Sequence, residues 1–147
     1  MAKMNILVIA SQFNELIVRH LLQGCLDELS LRAVAQESVQ TVWVPGAFEL
    51  PVIAARAARS GKFHGIIALG AVIRGETPHF DFVAGEAARG LMNVSVETGI
   101  PIGFGVLTTD TADQALARCG IKGPNKGRES AQVVLHMLEQ FRNLGWK

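Results

Sequence analysis

Short apolar runs alternate along the chain with longer stretches in which apolar residues recur every three or four positions. Residues 6–10 form a continuous apolar run of strand length, and after it Val18, Leu22, Cys25, Leu26 and Leu29 make one stripe of an amphipathic helix. Val39–Val44 predicts a second strand, stopped by Pro45-Gly46. Leu50, Ile53, Ala54 and Ala57 then predict a helix that tolerates Pro51 in its first turn and ends at Gly61. Residues 64–73 read as a third strand, followed by a helix over 81–97 with Val83, Ala87, Leu91 and Val94 on one face. Residues 101–107 give the fourth strand. Beyond it Thr111-x-x-Gln114 matches a capping box, and Ala131, Val134, Leu135, Leu138 and Phe141 supply the stripe of a last helix.

Strands that are apolar on both faces, each followed by a helix, belong to a parallel sheet covered on both sides. The expected fold class is α/β: a three-layer α/β/α arrangement around a four-stranded parallel, flavodoxin-like sheet. With 147 residues, and no repeat, low-complexity tract or long linker, the chain is expected to be a single domain over 1–147.

Composition changes this picture in one respect. Hydrophobic residues make up 49% of the chain, charged residues 18%, and tyrosine is absent. That charged share falls below the usual level of about 25%, so apolar surface should remain after folding and be covered by other copies of the chain. The longest uncharged stretch, residues 98–109, is far shorter than the ~18–20 apolar residues of a spanning helix. No membrane partner is expected, and the first residues lead into strand sequence without a secretory cleavage site. Fourteen basic against thirteen acidic residues provide no field for nucleic acid. Cys25 and Cys119 lack metal-ligand spacing and read as free thiols of a reducing cytosol.

Ligands of open parallel sheets bind beyond the carboxyl ends of the strands, so the four loops there are where chemistry is expected. They read Ser11-Gln12-Phe13-Asn14, Pro45-Gly46-Ala47-Phe48-Glu49, residues 74–81, and Thr108-Thr109-Asp110. In the third, Gly75 allows close backbone approach, Thr77 adds a hydroxyl, and the following helix aims unpaired amides at the loop, as anion-binding backbone does. His79 has the side chain best suited to proton transfer near neutral pH; equally, Thr77-Pro78-His79 describes a capped helix start with an exposed histidine. Phe13 and Phe48 are loop aromatics that can stack on a flat heterocycle or cover the sheet end. Glu49 can accept from hydroxyls or simply complement a helix dipole. Arg118 and Lys126 are cations suited to phosphate, although Arg118 near a helix end also suits the dipole without a ligand. No dinucleotide or Walker glycine pattern, metal-spaced cluster or nucleophile elbow occurs, so a site without cofactor or metal is expected.

Taken together, Ser11-Gln12-Phe13-Asn14, residues 43–51, residues 70–81, Phe104-Gly105-Val106-Leu107-Thr108-Thr109 and Asn125-Lys126-Gly127 resemble the 6,7-dimethyl-8-ribityllumazine synthases of riboflavin biosynthesis, in order and over nearly the whole chain. The resemblance implies a cofactor-free condensation of 5-amino-6-(D-ribitylamino)uracil with 3,4-dihydroxy-2-butanone 4-phosphate to the lumazine, phosphate and water. It implies that Phe13 stacks on the pyrimidinedione. Ala47, Phe48 and Glu49 would hold the ring and ribityl chain, and Ala71, Val72 and Ile73 would offer backbone groups. Glu76, Thr77 and Arg118 would bind the phosphate, with His79 moving protons. Lys126 and Glu129 match positions that line the family's site, and Asn14 falls inside the first motif. Phe104 resembles the aromatic supplied by an adjacent subunit, which implies a homopentamer, alone or as the unit of a sixty-subunit shell. Gln12 stands where the family usually has arginine, and Gly123-Pro124 where Ala-Gly is usual. The few residues before strand one are shorter than the segment that pairs with a neighbouring subunit in many members, which speaks against the shell, while residues 120–127 lack the insertion of purely pentameric members, so both assemblies stay open. Two other readings of the same fold are a flavin- or lumazine-binding protein with little catalysis and a shell protein whose role is assembly.

Overall fold

The computed structural model describes residues 3–146. Strands β1 (Ile6–Ser11), β2 (Val39–Val44), β3 (Gly65–Ile73) and β4 (Ile102–Thr109) form one sheet in the order β2-β1-β3-β4. Every neighbouring pair is parallel, in register from Ile6↔Val39 and Ile6↔Gly65 to Ile73↔Thr109. Helices α1 (Glu15–Leu31) and α5 (Lys126–Asn143) cover one face, and α2 (Leu50–Arg59) and α3 (His79–Thr98) the other. A short α4 (Ala112–Leu116) follows β4. Alternation along the central strands explains the two cores. Ile6, Val8 and Ala10 of β1 meet Ile67 and Leu69 of β3 under α1 and α5. Leu7 and Ile9 meet Ile66 and Ala68 under α2 and α3. This is the three-layer α/β/α, flavodoxin-like arrangement expected from the sequence. Among the described residues no helix is long and apolar enough to cross a membrane.

Boundaries differ in instructive ways. His64 lies outside β3, its Nδ1 accepting the Asn5 backbone N–H at 2.9 Å. β4 continues through Thr108 and Thr109, which the sequence pattern left as loop. α3 begins at His79 rather than 81, so the histidine is on the helix and not ahead of it. The buried stripe of α1 is Ile17, Val18, Leu21, Cys25, Glu28 and Leu29, while Leu22 and Leu26 are half-buried. The stripe turns because α1 faces α5 as well as the sheet. Gly127 of α5 lies so close that a Cβ there would meet the Leu21 carbonyl, and buried Glu28 accepts from Arg128 across the crossing at 3.1 Å. β2, at the sheet edge, is only partly buried.

Caps fix the later helices. Thr111 Oγ1 accepts the Gln114 N–H at 3.1 Å, the first half of the expected capping box at α4, while the Gln114 side chain accepts from Asp110 N–H, one residue earlier than the N-cap, at 2.8 Å. Asn125 Oδ1 accepts the Arg128 N–H at 3.0 Å while its Nδ2 donates to the carbonyls of His20 and Cys119. Cys25 is fully buried, and desolvation pushes its thiol up to about 12. In the native protein at pH 8 Cys25 is therefore expected to resist iodoacetamide, and to react only after unfolding. Peptide mass spectrometry checks this, and rapid native labelling would contradict it.

Candidate active site

Chain direction creates the crevice. From β1 the chain passes to α1 on one face, whereas from β3 it passes to α3 on the other, so the two connections diverge above neighbouring strands. A cavity of about 750 Å³ opens there. Phe13 enters it from the first loop, Pro45 to Glu49 from the second, Ala71 to Ile73 from the end of β3, and Gly75, Thr77 and His79 from the third loop and first turn of α3. Ten of the residues picked out in the sequence thus meet at one place: Phe13, Ala47, Phe48, Glu49, Ala71, Val72, Ile73, Thr77, His79 and the loop glycine Gly75.

The first two loops are tied together by backbone. The N–H groups of Gln12 and Phe13 donate to the carbonyls of Val44 and Pro45 at 2.8 and 3.1 Å. Asn14 takes the left-handed conformation at φ 61°, which Asn tolerates better than most residues. Its Nδ2 donates to the Ala71 carbonyl at 2.8 Å. Asn14 therefore holds the Phe13 loop against β3 and is not itself on the cavity wall.

β3 extends past its last pairing with β1, at Leu69, by four residues ending at Ile73. The Arg74 N–H points to β4, donating to the Thr109 carbonyl at 2.8 Å. Alternation then turns the backbone groups of Val72 toward β4 and those of Ala71 and Ile73 toward the open side. Of the three residues expected to offer backbone groups, Ala71 and Ile73 turn theirs toward the open side, where the Ala71 carbonyl already accepts from Asn14, and Val72 turns its own toward β4.

No side chain caps α3, unlike α4 and α5. The Thr77 hydroxyl accepts the His79 N–H only at 3.4 Å, and Asp81 N–H turns back to the Pro78 carbonyl at 3.0 Å. The Phe80 amide and the positive end of a 20-residue helix are left beside Gly75 and Thr77. His79 is exposed, and among the described residues no protein group holds its ring. Phe13, Phe48 and Phe82 are 73%, 58% and 67% exposed around the cavity mouth, three large rings at one concave site. Phe82 lies off the stripe of Val83, Ala87, Leu91 and Val94, so the sequence pattern alone gives it no role. With α3 beginning at His79, Phe82 lies one turn beyond it on the same face.

Besides Asn14, five expected residues lie off this wall. Glu76 is exposed on the third loop but does not line the cavity. Phe104 projects from edge strand β4, more than a third exposed. Arg118 is exposed and donates from Nη1 to the Gln114 carbonyl at 2.8 Å, closing the end of α4 as its dipole reading allowed. Lys126 Nζ pairs with Glu129 at 3.7 Å, and its backbone N–H donates to the Arg118 carbonyl at 2.8 Å. Glu129 borders a separate cavity of about 420 Å³ with His20 and Asn125. Apart from Asn14 and Glu76, the structure thus sorts the expected residues into two groups, one around the cavity and one on the β4, α4 and α5 side.

Comparison with known proteins gives a consistent result. The family model described as 6,7-dimethyl-8-ribityllumazine synthase matches residues 3–142. A protein of that name from Nitratidesulfovibrio vulgaris (strain Miyazaki F) is 51% identical over 137 residues, covering 93% of this chain and 88% of its own. Another so named, from Protochlamydia amoebophila, is 50% identical over 138 residues, covering 94% of this chain and 80% of its own.

Proposed function

Since the chain belongs to the 6,7-dimethyl-8-ribityllumazine synthase family, we propose that the cavity between the ends of β1 and β3 is where its two substrates meet. The chain is an enzyme of riboflavin biosynthesis, a transferase that condenses 5-amino-6-(D-ribitylamino)uracil with 3,4-dihydroxy-2-butanone 4-phosphate. The observation that carries the site assignment is the convergence of exposed aromatic rings, the open backbone of β3 and an uncapped helix start beside His79.

In this reading Phe13, Phe48 and Phe82 offer faces to the pyrimidinedione, and Ala71 and Ile73 give it backbone partners. Ala47 supports the ring and Glu49 accepts from ribityl hydroxyls. Gly75, Thr77 and the α3 amides receive the phosphate, with Glu76 on the same loop. An arylamine-like nucleophile and a ketone are already reactive, so the protein's work is to hold them in register and move protons. His79 stands next to the phosphate loop, where imine formation, phosphate elimination and ring closure each need a proton taken or given.

Phe104, Arg118, Lys126 and Glu129 would complete this site from a neighbouring copy. What supports this is their position off the cavity wall together with exposed apolar side chains on the two long helices, Met92 and Val96 on α3 and Val133 and Met137 on α5. Two different surface regions then meet head to tail, which closes as a ring, and a homopentamer of single-domain chains 1–147 is the proposed assembly. Buried, unpaired Cys25 and Cys119 suit a reducing cytoplasm. The binding-only and shell-only readings are not favoured, since His79, Arg118 and Lys126 are all present and the relatives are named as synthases.

The direct test mixes purified protein with both substrates and follows lumazine absorbance; a rate no higher than the spontaneous condensation would contradict the assignment. Arg118→Ala is expected to raise KM for the butanone phosphate about tenfold or more, the scale of a lost charged hydrogen bond, with little change for the uracil. An effect confined to the uracil would remove Arg118 from the phosphate.

A further inference from the structure

Arg74 has no part in the roles above, yet it joins three elements at the mouth of the cavity. Its Nε donates to Asp110 Oδ1 at 2.9 Å, just past β4, and its Nη1 to Asp81 Oδ1 at 3.2 Å, in the first turn of α3. Its guanidinium lies 4.3 Å from the ring centroid of Phe80, the residue next to Asp81 in the chain. The backbone N–H of the same residue is the one that donates to Thr109. The hydrogen bond to Asp110, and then the charges and contact of Asp81, hold the guanidinium proton more firmly than usual.

Asp81 follows His79 by two residues, and both carboxylates flank the loop that offers its amides to an anion. Left uncompensated, two negative charges at that place would oppose a phosphate dianion. A guanidinium fork suits two carboxylates at once, which a lysine ammonium does less well. Arg74 is also unavailable as a phosphate ligand while it holds both.

We infer that Arg74 is a positioning residue for the phosphate subsite: it neutralises Asp81 and Asp110 and fixes the start of α3, so that the loop from Gly75 to Thr77 and His79 face the phosphorylated substrate. This rests on the reading of that loop as the phosphate subsite.

Steady-state kinetics of the whole assembly, with each substrate varied separately, test it. Arg74→Gln is expected to raise KM for the butanone phosphate about fivefold, to raise the inhibition constant of inorganic phosphate alike, and to leave KM for the uracil within about twofold. The rise should shrink in 0.5 M salt, where screening shortens the reach of the freed carboxylates. Adding Asp81→Asn and Asp110→Asn to Arg74→Gln should recover most of the loss, because the charges that Arg74 answers are then gone. Should that triple variant not assemble, Arg74→Lys serves instead, with an expected KM between those of Gln and Arg. Equal rises for both substrates, or a Gln effect unchanged by salt and by removal of the carboxylates, would overturn the inference. Inactivity of the unsubstituted protein would instead strike the site assignment itself.

Discussion

Replacing His79 by alanine is expected to lower kcat about 10²-fold, near the lower end for a lost general acid–base. KM for either substrate should change little. The substitution should leave the fold alone, since the ring is exposed at the first position of α3 and among the described residues no protein group holds it. Activity should not vanish, because stacking on the phenylalanine rings and the phosphate contacts keep the reactants together, and proximity survives the loss of a proton carrier. Single-turnover absorbance measurements at saturating substrate check this. An unchanged rate would take proton transfer away from His79.

The largest structural effect is expected at Gly127. A Cβ at this position would collide with the Leu21 carbonyl, a backbone group that no rotamer change can move aside. α1 and α5 would have to separate, disturbing the pairing of Arg128 with buried Glu28 and the Asn125 cap that reaches the His20 carbonyl. Gly127→Ala should cost about 3 kcal/mol or more, at the upper end for overpacking. For a chain of this length that lowers Tm by roughly 10 °C. Thermal unfolding followed by circular dichroism gives the answer, and a shift under about 2 °C would show that the crossing can widen freely.

Much of this was legible in the residue pattern. The β-branched runs and helical stripes were enough for the layers and the parallel sheet, because a strand buried on both faces leaves an unbroken apolar signature. The cavity residues were legible because open parallel sheets place ligands at strand ends, and the loops there carry Phe13, Phe48, Thr77 and His79 where packing alone does not call for them. What stayed hidden were contacts between residues far apart in sequence. Nothing local marks Asn14 as a tie to the Ala71 carbonyl, or Arg74 as the link between Asp81 and Asp110. Phe82 was hidden because it lies off the apolar stripe of Val83, Ala87, Leu91 and Val94, and nothing local tells a ring at a cavity mouth from one on an ordinary helix surface. The turned stripe of α1 likewise depends on where α5 crosses it.

The claim on which the account turns is that one catalytic site is divided between two copies of the chain. Coexpression of His79→Ala subunits with Arg118→Ala subunits tests it most directly, read as lumazine formation per subunit in the mixed assembly at butanone phosphate well below KM, where each parent is slow. Each parent assembly lacks one half of every site. If His79 and Arg118 of one site come from neighbouring copies, random mixing in a closed ring restores both at about a quarter of the sites, and activity should rise to about that fraction of the unsubstituted protein. Activity no greater than the average of the two parents would place His79 and Arg118 of each site on the same chain, and contradict the shared site.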